Sequence, residues 1–117
     1  MEHQNQIIIE KYGAMTLLDV KGDVTSASEP FFNDAYKRPD ILEGSKIVLV
    51  FDEDAYINSG GLAVLIQLLA ETKRNNQQIA ITGLSDHFKK IFRMVGITKL
   101  ATIFPSINEA MKRFSSP

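Results

Sequence analysis

The sequence predicts a single α/β domain built on a mixed sheet of about five strands with four helices, in the order β-β-α-β-α-β-α-β-α. Three observations carry this prediction. The chain opens with two β-rich runs joined by a turn signal; strand-like runs then alternate with helical apolar stripes; and 117 residues suit one domain. Strands that alternate with amphipathic helices after an opening hairpin put helices against at least one face of the sheet. The crossovers are expected to be right-handed.

In order, Gln6–Lys11 and Met15–Val20 are the hairpin strands, with Tyr12-Gly13-Ala14 as their turn. After Gly22 the pattern becomes helical. Ser26 or Ser28 can cap this helix, Pro30 is tolerable in its first turn, Phe32, Ala35 and Tyr36 share a face, and Pro39 ends it. Lys46–Phe51 is apolar without alternation beyond Lys46, as suits a strand covered on both faces. The next helix runs from about Ser59 or Gly60 to Arg74, with Leu62, Leu65, Ile66 and Leu69 aimed at the core and Asn75-Asn76 stopping it.

Gln78–Thr82 is a further strand, closed by Gly83. Ser85 caps a third helix carrying Phe88, Ile91, Phe92 and Val95, with Gly96 at its C-cap. Ala101–Phe104 forms a short last strand. Ser106-Ile-Asn-Glu109 is a capping box opening a fourth helix with Ile107, Ala110, Met111 and Phe114 on one stripe. Residues 1–5 and 115–117 are expected to be frayed ends of a domain spanning 1–117.

Composition narrows the function classes. Hydrophobic residues make up 44% and charged residues 23%, with a net charge of −1, so no basic surface points to nucleic acid or to anionic membranes. No cysteine is present, which removes disulfides and thiolate chemistry. The start of the chain lacks a signal-peptide layout, and the longest nearly apolar stretch, Leu62–Ala70, is too short for a bilayer, so no direct membrane insertion and a cytoplasmic location are expected.

No residue set supplies a base, a nucleophile and a stabiliser together, and neither His3 nor His87 has the spaced partner that a metal motif needs, so no enzyme activity, metal or cofactor is expected. Asp52-Glu53-Asp54 follows the central strand and reads as a solvated acidic loop able to meet a basic partner. The informative segment is Tyr56–Leu65. Ser59 lies where a loop feeds a helix, so either it or Asn58 is an N-cap, or Ser59 is a phosphoacceptor whose added charge is tolerated beside helix-start amides. Val64 and Leu68 point away from the core stripe, on the side of Gly60. They either contact a neighbouring helix or, if exposed, form an apolar docking strip beside Ser59, where small Gly60 would admit a partner close to the backbone.

Ile57-Asn58-Ser59-Gly60-Gly61-Leu62, following a buried strand and opening a helix, resembles the signature of the STAS domain family, in which an Asp-Ser-Ser-Gly-Leu type sequence marks bacterial anti-sigma factor antagonists. Gly22-Asp23 resembles the family's Gly-acidic step, and Val95-Gly96-Ile97, Ile103-Phe104 and Ser106–Ala110 its closing segment. The resemblance implies a partner switch. Unphosphorylated, such a protein binds an anti-sigma factor that is itself a serine kinase of GHKL type; phosphorylation at Ser59 separates the pair, and a PP2C-type phosphatase resets it.

The same resemblance implies a partner-binding corner of Asp23, Thr25, Asn58, Ser59, Gly60 and Gly61, with Val64 and Leu68 beside it. Asn58 stands where the family usually has Asp, Gly60 where it has a second Ser, and Thr25 where many members carry Asp. The fold also serves constitutive assembly modules, such as transport accessory or stress-signalling subunits, in which Ser59 would be only part of a cap.

Overall fold

The computed structural model describes residues 5–115. The hairpin forms first: β1 (Gln6–Tyr12) pairs antiparallel with β2 (Met15–Lys21), with Tyr12 opposite Met15 across the Gly13-Ala14 turn. Gly13 has φ +62°, the left-handed conformation this tight reversal needs. β3 (Lys46–Phe51), β4 (Gln78–Thr82) and β5 (Thr102–Ile103) then add in parallel, giving the sheet order β1-β2-β3-β4-β5.

The unbroken apolar run of β3 is explained by helices on both faces. Ile47, Leu49 and Phe51 join the larger core with α1 (Glu29–Tyr36), α3 (Ser59–Arg74) and α4 (Asp86–Met94). Val48 joins a smaller cluster with Met15, Ala80, Ala110 and Phe114, where α5 (Ile107–Ser115) lies on the opposite face. Val48 and Leu49, adjacent in sequence and on opposite faces, are both fully buried. Phe51 meets Phe92 of α4 edge to face at 6.5 Å.

Ser85 caps α4 by accepting from the Phe88 amide at 3.3 Å, and Ser106 caps α5 by accepting from the Glu109 amide at 3.2 Å. The first helix differs from expectation. Thr25 is the cap, and it caps a turn of 3-10 helix (Ser26–Ser28) that runs into α1. Pro39 does stop this helix, but it also opens the one-turn helix α2 (Pro39–Leu42), for which its fixed φ is preorganised. Asn5, expected in a frayed end, is buried and donates from Nδ2 to the carbonyls of Lys21 (3.0 Å) and Asp23 (2.9 Å). Helix α5 continues to Ser115. The remaining residues of both ends, His3 among them, lie outside the described residues.

A polar network closes the far end of the α1 side. The Tyr36 hydroxyl donates to Gln77 Oε1 at 2.5 Å and accepts from Asn75 Nδ2 at 2.7 Å. Gln77 Nε2 donates to the carbonyls of Ile41 (2.8 Å) and Gly44 (2.7 Å). These bonds tie the α1–α2 corner to the strand that follows α3.

Candidate functional site

Two loops at the carboxyl end of β2 and β3 build the corner around Ser59. Gly22, with φ +92°, turns the chain out of β2. Residues Asp23–Thr25 then run beside Tyr56–Asn58. Val24 forms a parallel bridge with Ile57: its amide donates to the Tyr56 carbonyl at 2.9 Å, and its carbonyl accepts from the Asn58 amide at 3.2 Å. Asp23 Oδ1 accepts from the Tyr56 amide at 2.9 Å. The carboxylate of Asp23 is therefore a structural tie between the two loops. Val24 is fully buried and Ile57 nearly so, which seats the bridge on the core.

Thr25 lies extended at the head of the 3-10 turn. Its Oγ1 accepts from the Ala27 amide at 3.1 Å, and its own amide donates to Ser28 Oγ at 3.0 Å, a reciprocal capping box. Asn58 is the cap of α3: it is extended, its Oδ1 accepts from the Gly61 amide at 2.9 Å, and its carbonyl accepts from the Leu62 amide at 2.9 Å. Ser59 is the first residue of α3 and is exposed. Because Asn58 does the capping, the Ser59 hydroxyl is left to solvent.

Close approach between the loops demands a glycine at 61 and favours one at 60. A Cβ on Gly61 would lie 2.1 Å from the Val24 carbonyl oxygen and 2.5 Å from its carbon. On Gly60 it would lie 3.0 Å from the Ser26 amide nitrogen and 3.1 Å from Ser26 Cβ. The side of Gly60 on which a Cβ would stand thus faces Ser26 of the same chain, while the residue itself stays half-exposed.

Val64 and Leu68 are also resolved differently from a docking strip. They are 6% and 7% exposed and pack in the main core with Phe32 and Tyr36. Helix α3 therefore buries two sides: Leu65 and Leu69 against the sheet, and Val64 and Leu68 toward α1, while Leu62 and Ile66 are only partly covered. The apolar surface that does reach solvent near Ser59 is Tyr56, 59% exposed, whose ring stands edge-on to Phe88 at 5.9 Å. Sequence reasoning passed it over, because nothing local distinguishes a tyrosine held outward from one turned in.

The acidic turn after β3 is partly neutralised. Asp52 Oδ1 lies 3.3 Å from Lys21 Nζ, and Asp19 Oδ1 lies 3.5 Å from it. The hydrogen bond to Asp52, followed by the charge of Asp19, raises the Lys21 ammonium above its usual range. Glu53 and Asp54 are exposed. Among the described residues no group of three or more His, Cys, Asp or Glu could hold a metal ion, and His87 is exposed beside Phe88. The corner thus offers an accessible hydroxyl at the start of α3, an acidic turn and an exposed aromatic ring, all on a rigidly tied pair of loops. Among the described residues no helix is long and apolar enough to cross a membrane.

The comparisons with known proteins agree with this architecture. Over 84 residues, 72% of this chain and 74% of the relative, the sequence is 23% identical to the anti-sigma-B factor antagonist of Listeria monocytogenes. The fold is similar to that of an anti-sigma factor antagonist from Mycobacterium paratuberculosis, with TM-score 0.79 and 12% identity, covering 97% of this chain and 96% of that one. It is also similar to the phosphorylated form of the Bacillus cell fate determinant SpoIIAA, with TM-score 0.66 and 12% identity, covering 93% and 99% of the two chains. The family model for the STAS domain matches residues 6–110, from the first strand into the last helix, and the chain belongs to the STAS domain family.

Proposed function

We propose that this protein is an anti-sigma factor antagonist that binds a serine-kinase anti-sigma factor of GHKL type and is released when that kinase phosphorylates Ser59. The observation that carries this reading is the division of labour at the start of α3. Asn58 supplies the cap, so the exposed hydroxyl one residue later has no structural task. Support comes from the curated Listeria relative, named an anti-sigma-B factor antagonist, and from the similar fold of SpoIIAA, known in a phosphorylated form.

Phosphorylation adds roughly 1.5 to 2 negative charges and three acceptor oxygens. At the first turn of α3 the helix dipole tolerates that charge, so the fold survives the modification. The same charge appears on a corner that already carries Asp52, Glu53 and Asp54, and it converts a surface suited to a partner into one that repels an acidic or close-fitting face. The chain supplies the hydroxyl and the surface; nucleotide and metal belong to the kinase, and a PP2C-type phosphatase restores the serine.

The test is binding of the cognate kinase to three forms of the chain. Ser59→Asp is expected to lose binding with its thermal midpoint unchanged, and Ser59→Ala to bind without being released by ATP. Ser59→Asp that binds as tightly as the parent refutes the switch. Absence of phosphate at Ser59 in protein from the native cell, with recovery of a stable complex lacking a kinase, points instead to a constitutive assembly module.

A further inference from the structure

At the opposite end of α3 from Ser59 an open groove of about 560 Å³ lies between the last turn of α3, the 3-10 turn Ile97–Lys99, β5 and the last turn of α5. This volume is within the range of small-ligand clefts. Lys73, Lys99 and Arg113 reach it from three elements far apart in sequence, with Gln78, Thr98 and Thr102 as further polar groups, and no Asp or Glu lines it. All three cations are exposed, and none has an ion-pair partner among the described residues. This occurs in a chain whose acids outnumber its bases, 14 to 13.

Basic residues near helix ends ordinarily serve the terminal carbonyls. Here several of those carbonyls are served by other groups. The Glu71, Thr72 and Lys73 carbonyls at the end of α3 accept from the amides of Asn75, Gln77 and Asn76 at 2.9–3.1 Å. The Phe114 carbonyl of α5 accepts from Lys46 Nζ at 2.6 Å. The Ile97 carbonyl accepts from the amides of Leu100 and Ala101 at 2.8 and 3.0 Å. Those carbonyls therefore do not require the three cations, and the convergence of the cations on one concavity raises their mutual repulsion.

We infer that this groove binds phosphate groups, either those of a free oligophosphate or those of anionic headgroups. Arg113 can present its planar fork to two phosphate oxygens, Lys73 and Lys99 act as point charges, and the threonine hydroxyls donate to the remaining oxygens. The site is independent of the Ser59 corner.

The test titrates the full chain with sodium tripolyphosphate by calorimetry at low ionic strength, with amide chemical shifts followed in parallel. A dissociation constant tighter than about 1 mM is expected, with the largest shifts at residues 98–102 and about a fivefold loss for each of Lys99→Gln and Arg113→Gln. Both variants replace exposed side chains, so their thermal midpoints are expected to match the parent. Sedimentation with vesicles of equal parts phosphatidylcholine and phosphatidylglycerol identifies the source. Co-sedimentation that Arg113→Gln abolishes assigns a headgroup, whereas tripolyphosphate binding without co-sedimentation assigns a free ligand. Weaker affinity than the stated limit, an unaltered constant in the Lys99→Gln/Arg113→Gln double variant, or shifts centred on residues 59–61 overturns the site.

Discussion

Replacing Gly61 by alanine sets two physical effects against each other. Helix propensity alone favours the change by up to about 1 kcal/mol, because alanine loses less backbone freedom than glycine. The added methyl, however, would sit 2.1 Å from the Val24 carbonyl oxygen and 3.1 Å from the Thr25 amide nitrogen. Restoring ordinary contact needs a displacement of about 1 Å or more. Val24 cannot yield cheaply: it is fully buried, bridges Ile57 through its backbone, and is followed by the capping box of Thr25.

Overpacking of a rigid site costs about 1 to 3 kcal/mol and sometimes more, so the clash wins. Against backbone this rigid the clash sits at the upper end of that range; less up to about 1 kcal/mol of propensity, the net cost is about 2 kcal/mol and the expected thermal midpoint is lower by roughly 8 °C, at about 4 °C per kcal/mol for a chain of this size. Differential scanning calorimetry of parent and Gly61→Ala measures it. Gly60→Ala is the internal control, since its methyl meets Ser26 at 3.0–3.1 Å, a contact relieved by a shift of a few tenths of an ångström, and its midpoint should move far less. A Gly61→Ala protein as stable as the parent would refute the packing argument for this corner.

Asn58→Ala removes the side-chain acceptor of the Gly61 amide and should cost about 1 kcal/mol by urea denaturation, whereas Asn58→Asp, which keeps the acceptor and adds charge at the positive helix end, should not destabilise at neutral pH. Leu68→Ala opens a cavity beside α1 and should cost about 2 to 5 kcal/mol; a near-neutral result would return Leu68 to the exterior. Tyr36→Phe leaves Gln77 Oε1 without its 2.5 Å donor and should cost about 1 to 3 kcal/mol.

Burial, more than any neighbouring charge, holds the Tyr36 phenol above its ordinary value of 10.0. A folded-state pKa raised above the unfolded one contributes stability that is complete below about pH 10 and lost as pH rises through the folded value. Unfolding midpoints should therefore fall on going alkaline from pH 10. Tyr36→Phe should show a shallower fall over that window, checked alongside the tyrosinate absorbance.

Much of the architecture was legible because it rests on local rules. The β3 run without alternation required cover on both faces, and Val48 and Leu49 have it. Ser85 and Ser106 announced their helices because a hydroxyl before an apolar stripe has one favourable use. The choice of cap at α3 was left open between Asn58 and Ser59, since both are good caps; the Asn58 Oδ1 bond to Gly61 decides it. The second face of α3 was left open between a neighbouring helix and a docking strip, because one stripe at helical spacing does not reveal how many neighbours a helix has. With α1 lying beside it, Val64 and Leu68 are as covered as the core stripe.

From its own order of residues the chain determined the place of each strand and of most helices to within a residue or so, that the sheet is mixed, and that Ser59 opens a helix after the central strand. These follow from spacing, capping chemistry and turn residues within a few positions of one another. Tertiary structure alone decided that Asp23 ties down Tyr56, that Ser26 faces one side of Gly60, that Asn5 is buried, and that Lys73, Lys99 and Arg113 share one groove. Each joins segments that only the packing of helices on the sheet brings together, and such contacts leave no trace in local periodicity.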